Sequence, residues 1–152
     1  MQNRNMSDII EAYLKSVLQG VGDVEIRRSE IAERFECVPS QINYVINTRF
    51  TPKQGYAIES KRGGGGYIRI MKLEVVDEAE YLDGMISLIE HDISFRDAVS
   101  IIDNLEQKQL ITAKQAFVMQ AAVDNEVMSH FEFPNQARAV VLKHIINRLK
   151  YD

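Results

Sequence analysis

Glu36-Cys-Val-Pro-Ser-Gln-Ile-Asn-Tyr-Val-Ile-Asn-Thr-Arg-Phe50 is the stretch on which the fold turns. Pro39 lacks the N–H that an interior helical position uses, yet it is welcome at the edge of a new helix, so a turn is the simplest reading of residues 36–39. From Ser40 to Arg49 the apolar residues Ile42, Val45 and Ile46 make one narrow stripe, which buries one face and leaves the rest polar. The polar side carries Gln41, Tyr44 and Thr48 about one helical turn apart, flanked by Ser40, Asn43, Asn47 and Arg49. Amide and hydroxyl groups so spaced suit base edges and phosphate oxygens of duplex DNA. A helix merely facing solvent has the same pattern, so its neighbours must decide.

Upstream, Ser7 is the expected cap of a helix with Ile9, Ile10, Tyr13, Leu14, Val17 and Leu18 at helical spacing, ending near Gly20 and Gly22. Val24-Glu-Ile26 alternates like a brief strand, and Ser29 is expected to cap a two-turn helix over residues 30–35 that buries Ile31, Ala32 and Phe35. Downstream, residues 56–60 and 67–71 alternate as the arms of a β-hairpin whose tip is Lys61-Arg62-Gly63-Gly64-Gly65-Gly66. Helix, strand, helix, Pro-containing turn, polar-faced helix and glycine-tipped hairpin is the order of a winged helix-turn-helix, whose second turn helix enters the DNA major groove.

The tip has its own logic. Four of the eight glycines lie in it, more than a turn requires, and each costs backbone entropy on ordering. A backbone without side chains can enter a narrow minor groove, where the negative potential attracts Arg62, with Lys61 and Arg69 beside phosphates. Arg28, at the head of the short helix, joins this DNA-binding set. The glycines do not form a nucleotide loop: the P-loop and dinucleotide patterns both fail, and Tyr67-Ile-Arg-Ile-Met71 reads as a strand where those folds need a helix N-terminus.

Past Lys72 only one glycine and one proline occur, and four stretches have helical periodicity. Leu82, Met85, Ile86 and Ile89 mark the first, Ser94 with Asp97 opens the second, Thr112 with Gln115 forms a capping box for the third, and Pro134 and Asn135 open the fourth. The expected fold is mainly α with a small β-wing: a winged helix-turn-helix DNA-binding domain over residues 1–73 and a four-helix dimerisation or partner domain over residues 74–152. The last helix is apolar around much of its circumference (Ala139, Val140, Val141, Leu142, Ile145, Ile146), which points to burial against another subunit.

Charge follows the same division. The 152 residues are 45% apolar and 26% charged, the composition of a folded globular chain. Residues 1–72 carry eleven Lys/Arg against eight Asp/Glu, and residues 73–152 seven against fourteen, so a net +3 precedes a net −7. Across residues 38–72 the ratio is six to one, which marks a segment facing a polyanion.

The sequence offers little to catalysis. His91, His130 and His144 are scattered, and His130-Phe-Glu132 lacks the two-cysteine partner of zinc deaminases, since Cys37 is the only cysteine. Cys37 reads as a small apolar side chain, and Asp77, Glu78 and Glu80 as a solvated helix start. Neither a catalytic site nor a metal or cofactor is expected. No apolar run has the length of a membrane helix, and the polar N-terminus is unlike a secretory signal, so a cytoplasmic protein is expected.

At residues 36–50, and at Glu59-Ser-Lys-Arg-Gly-Gly-Gly-Gly-Tyr-Ile-Arg-Ile-Met71, the chain closely resembles the CtsR family, the class three stress gene repressors of low-GC Gram-positive bacteria. The resemblance covers the whole chain and is looser in the helical half. It implies a dimeric, heat-released repressor of tandem heptanucleotide operators before genes of Clp ATPases and proteases. It also implies a protein-arginine kinase that modifies wing arginines, here Arg62, and Clp proteases that degrade the released repressor. The competing class is a protein-binding winged helix with a helical adaptor, which has no need for the basic excess or for an arginine at a glycine tip.

Overall fold

The computed structural model describes residues 5–61 and 66–151, with Lys61 through its backbone alone. The chain divides into two compact units, one up to Leu73 and one from Glu74.

In the first unit α1 (Met6–Leu18), β1 (Asp23–Arg27), α2 (Arg28–Arg34), α3 (Pro39–Arg49), a 3-10 turn (Pro52–Gln54), β2 (Tyr56–Lys61) and β3 (Tyr67–Lys72) follow in order. The cap of α1 is Asn5, whose Oδ1 accepts from the Asp8 N–H at 2.8 Å. Ser7 is therefore not the expected cap. It lies buried in the first turn, where its hydroxyl oxygen accepts from Gln41. Nor does Ser29 cap α2, because the strand pairing Arg27↔Tyr67 holds the chain extended to Arg27 and the helix starts at the next residue.

The three strands form an antiparallel sheet in the order β1-β3-β2, so the short first strand joins the hairpin through its later arm. Ile26, Ile68 and Ile70 are buried on one face, while the register sets Arg69 between Glu25 and Glu59. Ile10, Leu14 and Leu18 of α1, Ile31 of α2 and Ile42, Val45 and Ile46 of α3 close one core over these isoleucines. The spacing of four in α1 is what one helical face requires. Phe50, nearly fully buried, ends α3 and meets the Tyr56 ring edge-on at 4.9 Å between centroids.

The second unit is α4 (Glu78–Leu88), α5 (Phe95–Gln107), α6 (Ala113–Val123), α7 (Asn125–Met128) and α8 (Pro134–Leu149). Asp77 caps α4, Ser94 caps α5, and the Thr112–Gln115 capping box is complete, with N–H···O distances of 3.0 and 2.8 Å. Four helices were expected; the single turn of α7 is added because Asp124 ends α6 in extended backbone and its carboxylate then accepts from the Val127 N–H.

Arg138 of α8 is buried at 2% exposure, and among the described residues its hydrogen bonds go to carbonyl and amide oxygens. Its guanidinium donates to the carbonyl oxygens of Val123 at 2.7 Å and Ile93 at 3.0 Å, and to the side-chain oxygens of Asn125 and Asn135. One side chain thus joins the approach to α5, the end of α6, α7 and the start of α8. Burial lowers its pKa from the usual guanidinium range, with the charge of Asp124 opposing that shift.

Candidate nucleic-acid interface

The reversal between α2 and α3 occurs at Glu36, whose φ of +52° is left-handed. The Cys37 N–H then donates to the Ala32 carbonyl at 2.9 Å, and Val38 runs extended into Pro39, the first residue of α3. A side chain at positive φ carries backbone strain of order 1–2 kcal/mol, here tolerated where the chain must double back.

Two groups separate along α3. Ser40, Tyr44 and Asn47 are exposed, Tyr44 by 52%, and stand away from the buried Ile42, Val45 and Ile46. Gln41, Asn43, Thr48 and Arg49 are half-buried and already hold protein partners. Gln41 Nε2 donates to Ser7 Oγ at 2.7 Å, and Asn43 Oδ1 accepts from Arg28 Nε. Thr48 Oγ1 donates to the Tyr44 carbonyl at 2.6 Å, the back-bond common for hydroxyl residues inside helices. Arg49 Nη1 donates to Asp8 Oδ1 at 2.9 Å and Glu11 Oε1 at 2.5 Å, and the hydrogen bond to Asp8 is the chief reason its pKa is raised.

Ser7, Asp8 and Glu11 are thus functional neighbours that sequence reading missed. They lie more than thirty residues away, and nothing in their local pattern marks them as supports of α3.

The hairpin arms are paired as far as Lys61↔Tyr67. Arg62, Gly63, Gly64 and Gly65 lie outside the described residues, as does the Lys61 side chain, so their expected wing role is not described by this geometry. Gly66 has φ +64°, a conformation that an L side chain rarely adopts. Arg69 is held on the sheet: its guanidinium donates to Asp23, which raises its pKa, and lies 3.6 Å from Glu59. Arg27 adds a cation over the Tyr67 ring at 5.4 Å, just beneath the tip. Among the described residues there is no group of three potential metal ligands and no helix long and apolar enough to cross a membrane.

Comparison with known proteins agrees in both units. Residues 5–74 match the family model described as the CtsR N-terminal HTH domain, and residues 77–147 match the CtsR C-terminal dimerization domain. The "Transcriptional regulator CtsR" of Lactiplantibacillus plantarum is 48% identical across all of this chain and 99% of the relative. The protein of the same description from Geobacillus stearothermophilus is 50% identical, covering 97% of this chain and 98% of its own. A solved structure described as "Crystal structure of CtsR in complex with a 26bp DNA duplex" superposes with a TM-score of 0.92 at 49% identity, over 97% of this chain and 100% of that one. A winged helix-turn-helix followed by a helical unit, matched end to end at about half identity, leaves one conclusion: the chain belongs to the CtsR family of transcriptional regulators.

Proposed function

We propose that this chain is a dimeric, cytoplasmic repressor that reads an operator with α3 in the major groove and the tip at residues 62–66 in the adjoining minor groove. The observation that carries the reading is the exposed row Ser40, Tyr44 and Asn47 on a helix tied from behind to α1 by Gln41–Ser7 and by Arg49–Asp8/Glu11. A reading helix held this way does not have to be ordered when DNA arrives, which saves entropy on binding.

The roles divide accordingly. Asn47 is the side chain suited to the N6/N7 edge of an adenine, and the Tyr44 and Ser40 hydroxyls to phosphates or base acceptors. Asn43 orients Arg28 toward a phosphate. Gln41 and Arg49 act as supports of the helix, Thr48 offers its oxygen as an acceptor, and Arg69 braces the sheet through Asp23 and Glu59. Lys61 and Arg62 supply the cations of the wing, and Gly63, Gly64, Gly65 and Gly66 its narrow backbone.

The same reading extends to regulation. The targets are tandem heptanucleotide operators before Clp protease and ATPase genes. Heat releases the repressor because the entropy lost in ordering four glycines on DNA weighs more as temperature rises. A protein-arginine kinase adds to Arg62 a phosphoryl group of about −1.5 to −2 charge inside an electronegative groove, and Clp protease removes what is released.

Salt dependence tests the DNA claim. Log affinity for operator duplex falls against log salt by about 0.9 for each neutralised phosphate, so a steep line supports duplex binding. A flat line contradicts it.

A further inference from the structure

The last residue of β1 and the first of α2 are both arginines, Arg27 and Arg28, and the strand-to-helix junction directs them to different elements. Arg28 Nε donates to Asn43 Oδ1 on α3. The Arg27 guanidinium lies over the Tyr67 ring, 5.4 Å from its centroid. Tyr67 begins β3, and the register pairs it with Arg27 on one side and Lys61 on the other, the last rung before the tip. Two successive residues thus reach the helix assigned to the major groove and the root of the hairpin assigned to the minor groove. One sugar-phosphate strand separates adjoining grooves, so a bridge from α3 to the hairpin root lies over its phosphates.

The outer face of the sheet bounds that track. Strand residues alternate between faces, so with Ile26, Ile68 and Ile70 buried, Arg27, Tyr67, Arg69 and their carboxylate neighbours share the other face. One rung back from Tyr67, Arg69 stands between Glu25 and Glu59 and donates to Asp23. Three carboxylates around one guanidinium leave this part of the face net negative, which repels a polyanion. Arg27 differs. It is exposed, and a ring face orients a cation without neutralising it, so the edge of the guanidinium keeps its charge and its donors. Arg27 also holds the N-cap position of α2 with no side-chain cap bond, where Ser, Thr, Asp or Asn would stabilise the helix. The position gives up a cap for a cation.

We propose that Arg27 binds a DNA backbone phosphate on the strand between the two grooves, and that the Tyr67 ring positions its guanidinium for that contact. With Arg28 it forms a clamp of two planar forks, the geometry that suits phosphate oxygens. A phosphate contact carries no sequence information, so Arg27 fixes the placement of the hairpin against the duplex and leaves base choice to α3. The inference rests on the DNA reading above and adds to it a binding residue and its support.

Binding isotherms of the full chain on operator duplex at several salt concentrations test it. Arg27→Ala weakens binding about 10-fold, equally across single-base operator variants, and lowers the salt slope by about 0.9 at an unchanged unfolding temperature. Tyr67→Leu weakens binding about 3-fold, and Tyr67→Phe, which keeps the ring, does not. With Arg27 already replaced by alanine, Tyr67→Leu adds no further loss. Among duplexes that each carry one neutral methylphosphonate linkage, one weakens binding of wild type and not of Arg27→Ala. A wild type that binds no duplex overturns the DNA reading itself. A wild type with a steep salt slope that Arg27→Ala leaves unchanged, or no linkage that separates the two proteins, overturns the phosphate contact alone. Tyr67→Leu losses that add to those of Arg27→Ala, or a Tyr67→Phe protein as weak as Tyr67→Leu, overturn the positioning role of the ring.

Discussion

Arg49 Nη1 lies 2.5 Å from Glu11 Oε1 across 38 residues of sequence, and this ion pair, shared with Asp8, fastens the last residue of α3 to α1. The row Ser40, Tyr44 and Asn47 lies on the same helix that this pair ties down. Arg49→Ala is expected to destabilise the chain by about 1–2 kcal/mol, the range for hydrogen bonds to charged groups that remain partly solvated. Operator affinity falls with the loss of orientation, but the salt slope stays, because no phosphate contact has been removed. Binding isotherms at several salt concentrations check this; a slope reduced by about one would place Arg49 on a phosphate instead. The pH dependence follows from the raised pKa of Arg49. A cation whose folded pKa exceeds its unfolded value gives its full contribution below the unfolded value and loses it only in strong alkali. The wild-type and Arg49→Ala unfolding temperatures therefore differ by the same amount across about pH 6–9 as far as Arg49's own titration is concerned.

Asn47→Ala and Tyr44→Ala separate reading from stability. Both side chains are exposed, so stability changes by less than about 0.5 kcal/mol. Affinity for the preferred operator falls by about 1–3 kcal/mol for a base contact, and discrimination at one position relaxes. Affinities against a panel of single-base operator variants show whether Asn47 has a position of its own.

Arg62→Glu is expected to abolish operator affinity at unchanged unfolding temperature, since it reverses a charge where the minor groove is most negative. Retained affinity in an electrophoretic mobility assay would remove Arg62 from the interface.

Gly64→Ala tests heat release. If glycine ordering supplies the temperature sensitivity, the variant's affinity declines less steeply on warming than the wild type's. Parallel temperature curves for the two proteins would exclude the glycine tip as the source.

Arg138→Met is expected to cost about 3–5 kcal/mol despite its similar length, because the carbonyls of Val123 and Ile93 lose a buried donor together with both asparagine side chains. Arg138→Lys recovers only part, since a point ammonium cannot span four acceptors placed around a planar fork. Chemical denaturation reads both; a loss under about 1 kcal/mol would mean that the four bonds are not what joins these helix ends.

Local signals were legible in the sequence and partner choices were not. The stripe Ile42, Val45, Ile46 and the Thr112–Gln115 box depend on residues within a turn or two of one another, and the structure has them as read, whereas Pro39, read in the turn before a helix from Ser40, is the first residue of α3. Ser7 has the composition of a cap, but Asn5 two residues earlier takes the role once Gln41 claims the Ser7 hydroxyl. Ser29 loses its expected role because β1 pairs with β3, which no local pattern encodes. The left-handed Glu36 carries no glycine to announce it, and Arg138 sits in an apolar run with nothing to reveal four distant acceptors. At the interface, composition groups Gln41, Arg49 and Arg69 with the exposed polar residues, but the fold brings Ser7, Asp8, Glu11, Asp23 and Glu59 from distant parts of the chain to hold them.

The central claim, that this chain is a dimeric reader of a specific operator, is tested most directly by selecting bound duplexes from a random-sequence pool at about physiological salt, where non-specific binding is already weak. Enrichment of tandem or paired half-sites, with a fixed spacing set by the dimer, is the predicted result. A folded, dimeric protein that enriches no sequence would contradict it.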